Sequence, residues 1–171
     1  MISLVNGELK WFAVYTQSRA EKKVFERLTK ADFEAFLPLT TVVKQWSDRK
    51  KKVKVPLINS YVFVNTSRKK INNILKIPGV VGVLKYLGKP AIIKDFEISN
   101  LKIIVNTIEE VKLIDQIDLN DGEDIEVISG PFSGLLAKYI SHSGKDRVIV
   151  EVFTLKSFIV LNIALKNIRK L

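Results

Sequence analysis

The chain has 171 residues, 47% of them hydrophobic, and carries 28 Lys and Arg against 18 Asp and Glu, a net charge of +10. That apolar content excludes wholesale disorder. The absence of cysteine excludes a disulfide scaffold, a thiol nucleophile and cysteine-ligated zinc or iron–sulfur, and a single histidine, His142, excludes a multi-histidine metal centre.

The positive balance points to a polyanionic partner, nucleic acid or a nucleoprotein machine. No apolar run approaches the ~20 residues that span a bilayer. The start, MISLVNGELKW, lacks a basic segment followed by a long apolar stretch. A cytoplasmic protein with no membrane partner is the expectation. The charge is uneven: residues 1–106 hold 20 basic and 8 acidic side chains, 107–124 one lysine and seven acids, and 125–171 seven basic and three acidic. An acidic stretch between basic blocks reads as a linker. Its Val111, Leu113, Ile114, Ile117 and Leu119 suit docking on a neighbour.

In chain order, Trp11–Tyr15 reads as a central strand. Ser18 with Glu21 three residues on has the spacing of a capping box, which predicts a helix from near Arg19. Ala20, Val24, Leu28 and Ala31 would form its apolar face. Phe36–Leu39 reads as an edge strand, because Pro38 cannot donate to an interior ladder. Val42–Val55, with Trp46 and the run Arg49–Lys54, predicts a β-hairpin with an exposed basic tip. Ile58–Val64 is a strand rich in β-branched and aromatic residues. Lys70–Lys76 predicts a short helix, broken by Pro78-Gly79. Val80–Leu84 is the next strand and Gly88-Lys89-Pro90 a turn. Asp95 is placed to cap a last helix with the apolar face Ile98, Leu101, Val105 and Ile108.

The order β-α-β-β-α-β predicts an α+β fold of the ferredoxin-like split βαβ kind. One face of such a sheet is open, and strand alternation puts Tyr61 with Phe63 and Trp11 with Ala13 and Tyr15. Trp11 and Phe12 read as core. Tyr15 and Tyr61, whose hydroxyls need solvent or a partner, read as binding residues. Past the linker, Ile125–Ile128, Leu135–His142, Arg147–Phe153, Ser157–Ile163 and Ile168–Leu171 are five short strands, with a Ser129–Gly134 turn and a Ser143–Asp146 loop. That density predicts a small SH3-like β-barrel. The predicted divisions are 9–106, an acidic linker 107–121, and 122–171.

Both halves resemble the NusG family of transcription elongation factors. The first does so through WFAVYT at 11–16, AEKKV at 20–24, FLPL at 36–39, SYVFV at 60–64 and IPGVVGVLKYLGKPAII at 77–93. The second resembles a KOW domain through DIEVISGPFSGLLAKY at 124–139, with Gly130, Pro131, Phe132 and Gly134 in its turn. The run QWSDRKKKVKVPLINSYVFV at 45–64 resembles the specialised UpxY and RfaH branch, antiterminators of particular operons. Two positions depart from the family pattern: Ile58-Asn59-Ser60 replaces a Phe-Pro-Gly-like turn, and Ala137 stands at a usual glycine.

The resemblance implies a monomer that binds RNA polymerase across its clamp, suppressing pausing or termination. It implies clamp contacts at Tyr15, Ile58, Tyr61, Phe63 and Val83, and a gate-loop contact at Lys70, Ile71, Asn72 and Asn73. Non-template single-stranded DNA would meet Gln17, Arg19, Lys22 and Lys23, and upstream duplex the run Arg49, Lys50, Lys51, Lys52. The KOW domain would recruit a ribosomal protein or a termination factor. The β-branched content of Val148–Val152 and Ile159-Val160 argues for a resident barrel.

The competing reading is an RNA-recognition module acting without polymerase, since the same strand order builds one. It lacks the glycine-bearing RNP1 pattern, and a KOW-like neighbour is foreign to it. An enzyme is not expected: carboxylates cluster in the linker, and Ser141, His142 and Ser143 alternate faces and make no triad. No phosphate loop or metal-ligand spacing occurs, so neither cofactor nor metal is expected.

Overall fold

A computed structural model describes residues 8–45, 49–108, 122–142, 145–152, 157–161 and 163–171. It is a mixed α/β chain, grouped into two compact units: Met1–Pro38 with Ile58–Asp95, and Leu39–Leu57 with Phe96–Leu171.

In the first unit, β1 (Lys10–Thr16) leads to α1 (Glu21–Lys30) and β2 (Glu34–Phe36). β5 (Tyr61–Thr66), a 3-10 turn Arg68–Lys70, α2 (Ile71–Ile74) and β6 (Val80–Val83) follow. Two short strands, β7 (Lys85–Tyr86) and β8 (Lys89–Pro90), form a hairpin before β9 (Ile92–Ile93). The sheet runs β2-β5-β1-β6, with β9 also on β1. Its centre pairs Ala13 with Phe63 and Tyr15 with Tyr61. Phe12, Val14, Val62 and Val64 are wholly buried, and so are Val24 and Leu28 of α1.

The predicted capping box does not form. Arg19 adopts φ 61°, and α1 begins after Ala20 with no side-chain cap. That left-handed residue puts Glu21 at the first helical position instead of the third. Glu21 instead turns inward, 5% exposed, and its Oε1 accepts from the Ser60 amide at 2.7 Å. Ser60 itself is left-handed, φ 62°, and its carbonyl accepts from the Thr16 amide at 2.8 Å. The predicted strand over Ile58–Val64 therefore starts only at Tyr61. Pro38 lies between β2 and β3 (Leu39–Gln45) instead of inside an edge strand. The second helix is one turn, shorter than Lys70–Lys76.

Gly79 closes the unit. Its φ is 92°, and a Cβ there would stand 2.9 Å from Val24 Cγ2. Arg27 Nη1 donates to the Pro78 carbonyl at 2.5 Å. The Gln17 amide donates to the Gly79 carbonyl at 2.9 Å, so the Pro78-Gly79 turn is held on the start of α1.

In the second unit β3 pairs with β4 (Lys50–Pro56), so the hairpin expected over Val42–Val55 forms with longer arms, and Lys50–Lys54 of the basic run lie along β4 instead of at a tip; Trp46 lies outside the described residues. α3 (Asp95–Thr107) buries Ile98, Leu101 and Ile104, so the apolar face is centred on Ile104, with Val105 and Ile108 only half-buried. The face predicted from Val105 and Ile108 drifts because i+4 then i+3 steps were counted from Leu101 without Ile104 between them. β10 (Glu123–Val127), β11 (Leu136–His142), β12 (Lys145–Val152), β13 (Ser157–Leu161) and β14 (Ile168–Lys170) form an antiparallel sheet in the order β13-β12-β11-β10-β14. Ile125 and Val127 are buried and Glu126 half-buried, the expected alternation. The side chains of His142, Val150 and Val152, and the linker residues 109–121, lie outside what is described.

In this grouping both the β3–β4 hairpin and α3 go with the C-terminal strands. Asn100, 2% exposed, donates from Nδ2 to the Leu136 carbonyl at 2.6 Å and accepts the Leu136 amide on Oδ1 at 3.1 Å. Its amide thus serves β11 as a neighbouring strand would. Thr107 Oγ1 donates to the Pro131 carbonyl at 3.2 Å.

Two substitutions test these anchors by chemical denaturation. Glu21→Ala leaves the Ser60 amide buried without its acceptor and is expected to cost about 1–3 kcal/mol. Asn100→Ala strands both a donor and an acceptor at Leu136, and its loss should be at least as large.

Candidate macromolecular interface

Strand register decides which aromatics share a face. Trp11, Ala13 and Tyr15 do fall with Phe63 and Tyr61 on one side of the sheet, because Ala13 opposes Phe63 and Tyr15 opposes Tyr61. Most of that side is nevertheless core. Trp11 is buried, and so is Phe63, which stacks on Phe36 at 6.2 Å between centroids. Only the Tyr15 end is open, with Tyr15 44% exposed and Tyr61 half-buried, their rings 5.4 Å apart and tilted by 54°. Opposite Tyr15 stands Gly82, where an added Cβ would meet nothing within 4 Å. The missing side chain leaves an open groove of about 300 Å³ lined by Tyr15, Tyr61, Gly82, Val83, Leu84 and Lys85. Sequence reasoning passed over Gly82, although a glycine inside a strand pattern signals close approach or open space.

The other three expected clamp-contact residues lie deeper. Ile58 is 5% exposed and Phe63 fully buried. Val83 is 9% exposed and opposes Val14 in register, on the side of the sheet away from the tyrosines. At the expected gate-loop segment, Lys70, Asn72 and Asn73 are exposed and Ile71 is buried. Gln17, Arg19, Lys22 and Lys23 are all exposed around the start of α1, with Gln17 held by its amide on Gly79.

On the β3–β4 ribbon, Arg49, Lys50, Lys51 and Lys52 are exposed. Lys44 stands directly opposite Lys51, a like-charge pair that opposes the pairing. Neither strand holds an acidic residue. Lys50, Lys52 and Lys54 alternate onto one face. In the second unit Gly130 and Gly134, with φ 85° and 88°, close the Pro131–Ser133 turn, and the Gly134 amide donates to the Val127 carbonyl at 2.8 Å. Phe132 in that turn is half-buried and Pro131 exposed.

Burial raises the Tyr61 phenol above its usual value of 10.0, and the neighbouring Tyr15 adds to the rise. Among the described residues no cluster of three His, Asp or Glu side chains suits a metal ion, and no helix is long and apolar enough to cross a membrane.

The family model for "Transcription termination factor nusG" matches residues 9–102, more than half the chain. The chain belongs to the NusG family. NusG of Rickettsia felis is 30% identical over 169 residues, 90% of this chain and 86% of that protein. NusG of Rickettsia prowazekii is 29% identical over 140 residues, 74% and 71%. Both bear the name transcription termination/antitermination protein. Among solved structures, Thermotoga maritima NusG aligns over 96% of this chain and 98% of its own, at 21% identity and a TM-score of 0.48. NusG family proteins are transcription factors, and this NusG-like termination/antitermination factor is not an enzyme.

The tyrosine pair is testable by alkaline titration. Tyr61 should ionise above pH 10, and Tyr15→Phe should bring its midpoint part of the way back. Because its folded-state value is the higher one, the stability it contributes is full below pH 10 and is lost as the pH rises through the folded-state midpoint.

Proposed function

We propose that this chain is a transcription elongation and antitermination factor that docks on RNA polymerase through the tyrosine groove. The observation that carries the reading is the exposed Tyr15 ring against the half-buried Tyr61 beside Gly82, an amphipathic aromatic anchor at a recess in a family of transcription factors. The clamp helices are the proposed partner of Tyr15 and Tyr61. Ile58, Phe63 and Val83 would act from beneath, by holding the surface in shape. Across the DNA cleft, Lys70, Asn72 and Asn73 would meet the gate loop, with Ile71 as their buried anchor. Closing the clamp in this way suppresses pausing or termination.

The proposal extends to the fold and its other contacts. The strand order β2-β5-β1-β6 supports a ferredoxin-like first domain, and five antiparallel strands in the order β13-β12-β11-β10-β14 support an SH3-like KOW domain. The proposed divisions are a first domain over 9–106, an acidic linker over 107–121 and a KOW domain over 122–171. Exposed cations at Arg19, Lys22 and Lys23, with Gln17, suit the non-template strand, and the Arg49–Lys52 ribbon suits upstream duplex. The sequence at 45–64 supports the UpxY and RfaH branch and hence action at particular operons. The KOW domain would recruit a ribosomal protein or termination factor, and the factor would work as a cytoplasmic monomer. An RNA-recognition module is less well supported, because that use of the sheet needs the aromatic at Phe63 exposed, and Phe63 is buried.

Binding of the full chain to the clamp-helix segment of bacterial RNA polymerase tests the reading. Micromolar binding is expected, with Tyr61→Ala or Tyr15→Ala weakening it by roughly 30-fold, the scale of an interface hot spot of about 2 kcal/mol. A folded chain that does not bind the segment overturns it.

A further inference from the structure

The β7–β8 hairpin touches these contacts only at Lys85, in the groove lining. The free edge of β1 is covered first by β6, opposite Val14 and Tyr15, and then by β9, opposite Phe12 and Trp11. Between them the chain leaves the sheet, makes the β7–β8 hairpin and returns. The base of this excursion is fixed: the Leu84 amide donates to the Ala13 carbonyl and the Ala91 amide to the Leu84 carbonyl, both at 2.8 Å. Covering the edge of β1 does not require it.

The tip is built to expose apolar groups. Tyr86 is 72% and Leu87 85% exposed. Leu87 and Gly88 both have positive φ, 49° and 76°, the signature of a tight two-residue hairpin turn. Asn or Gly is the usual first residue of such a turn. A leucine there is strained and still faces water, a combination that marks functional positions. Lys89 stands directly across from Tyr86, and Lys85 adjoins it. Among the described residues neither lysine has a carboxylate partner, and from Lys85 to Lys94 the sequence holds no acid.

We propose that the Lys85–Lys89 hairpin tip is a binding site for single-stranded nucleic acid, with Tyr86 stacking on a base, Leu87 packing against its edge, and Lys85 and Lys89 holding the phosphates on either side. The chemistry is that of a stacking platform between cations: every base offers a π-face, and adjacent lysines neutralise the backbone. Charge complementarity selects this occupant, because the tip carries cations only and its one aromatic ring is open. The site is centred on Tyr86 and Leu87, which line no part of the polymerase groove; Lys85 alone is shared with that groove, and the cations around α1 are not part of it.

The test uses the full chain and labelled single-stranded DNA and RNA oligonucleotides of identical sequence, with affinity followed across a salt series. Tyr86→Ala is expected to weaken binding roughly 5- to 150-fold, the range of one stacked base, while Tyr86→Phe retains it. Replacing Lys85 and Lys89 together with Gln should lower the slope of log affinity on log salt by about 1.4, two phosphates on a single strand. A larger Tyr86→Ala effect on DNA or on RNA assigns the strand. Wild-type affinity of Tyr86→Ala for both oligonucleotides overturns the proposal, and so does a Tyr86 effect confined to anionic phospholipid vesicles. Clamp-helix binding, measured on Tyr86→Ala, which lies outside the groove lining, should be unchanged. A failure of the polymerase reading is thereby seen apart from a failure of this one.

Discussion

The bond from the Ser60 amide to the buried Glu21 carboxylate is the constraint on which the first unit turns. Taking a carboxylate out of water is costly unless donors meet it. The chain accepts that cost to join three segments: the end of β1, the first turn of α1 and the entry to β5. With Thr16 donating to the Ser60 carbonyl, the junction fixes where β5 begins. That start sets the register, and the register sets Tyr61 opposite Tyr15. The tyrosine groove is thus a consequence of a turn one residue away from it. Two left-handed non-glycine residues, Arg19 and Ser60, flank the junction. Backbone strain of this kind persists only where surrounding bonds over-determine it.

Side-chain size along the register explains why the aromatic side is open at the Tyr15 end among the described residues. Towards Lys10 the aromatic side is filled by Trp11, Phe63 and Phe36. Towards Thr16, β6 brings Gly82 instead of a side chain against Tyr15. A recess therefore lies beside two hydroxyl-bearing rings, the arrangement in which an aromatic is half solvated and half available. The β3–β4 ribbon uses a different device. Its opposed lysines weaken the pairing that holds it, and a polyanion would relieve the repulsion. These surfaces give one chain an aromatic recess and several exposed cationic patches.

The first strand, the hairpin read over Val42–Val55, the five C-terminal strands and the burial of Trp11 and Phe12 were legible in the residue pattern, because alternation and β-branched content report burial directly; the short β7–β8 hairpin and β9 were not. Neither were helix onsets. Ser18 and Glu21 have capping-box spacing, yet Glu21 found a stronger partner 39 residues away. Spacing records what a side chain reaches locally, not what a distant segment offers it. The apolar face of α3 is centred on Ile104, which the stripe Leu101, Val105, Ile108 steps past, and the polar Asn100 joins the buried side because Leu136 satisfies its amide on both sides.

By itself, the sequence determined the class of the protein: a basic, cysteine-free α/β chain of the NusG family, with its aromatic strands and its lysine run in known order. Charge, the absence of cysteine and the strand pattern follow from composition and local periodicity, which travel with the residues; the family follows from similarity to known sequences. Only the tertiary structure decided which aromatics are surface and which are core, that Gly82 opens the groove, and that Tyr86 and Leu87 stand out from the sheet edge between two lysines. Strand register and long-range hydrogen bonds set these outcomes. Both depend on residues far apart in the chain, so no local window of sequence contains them.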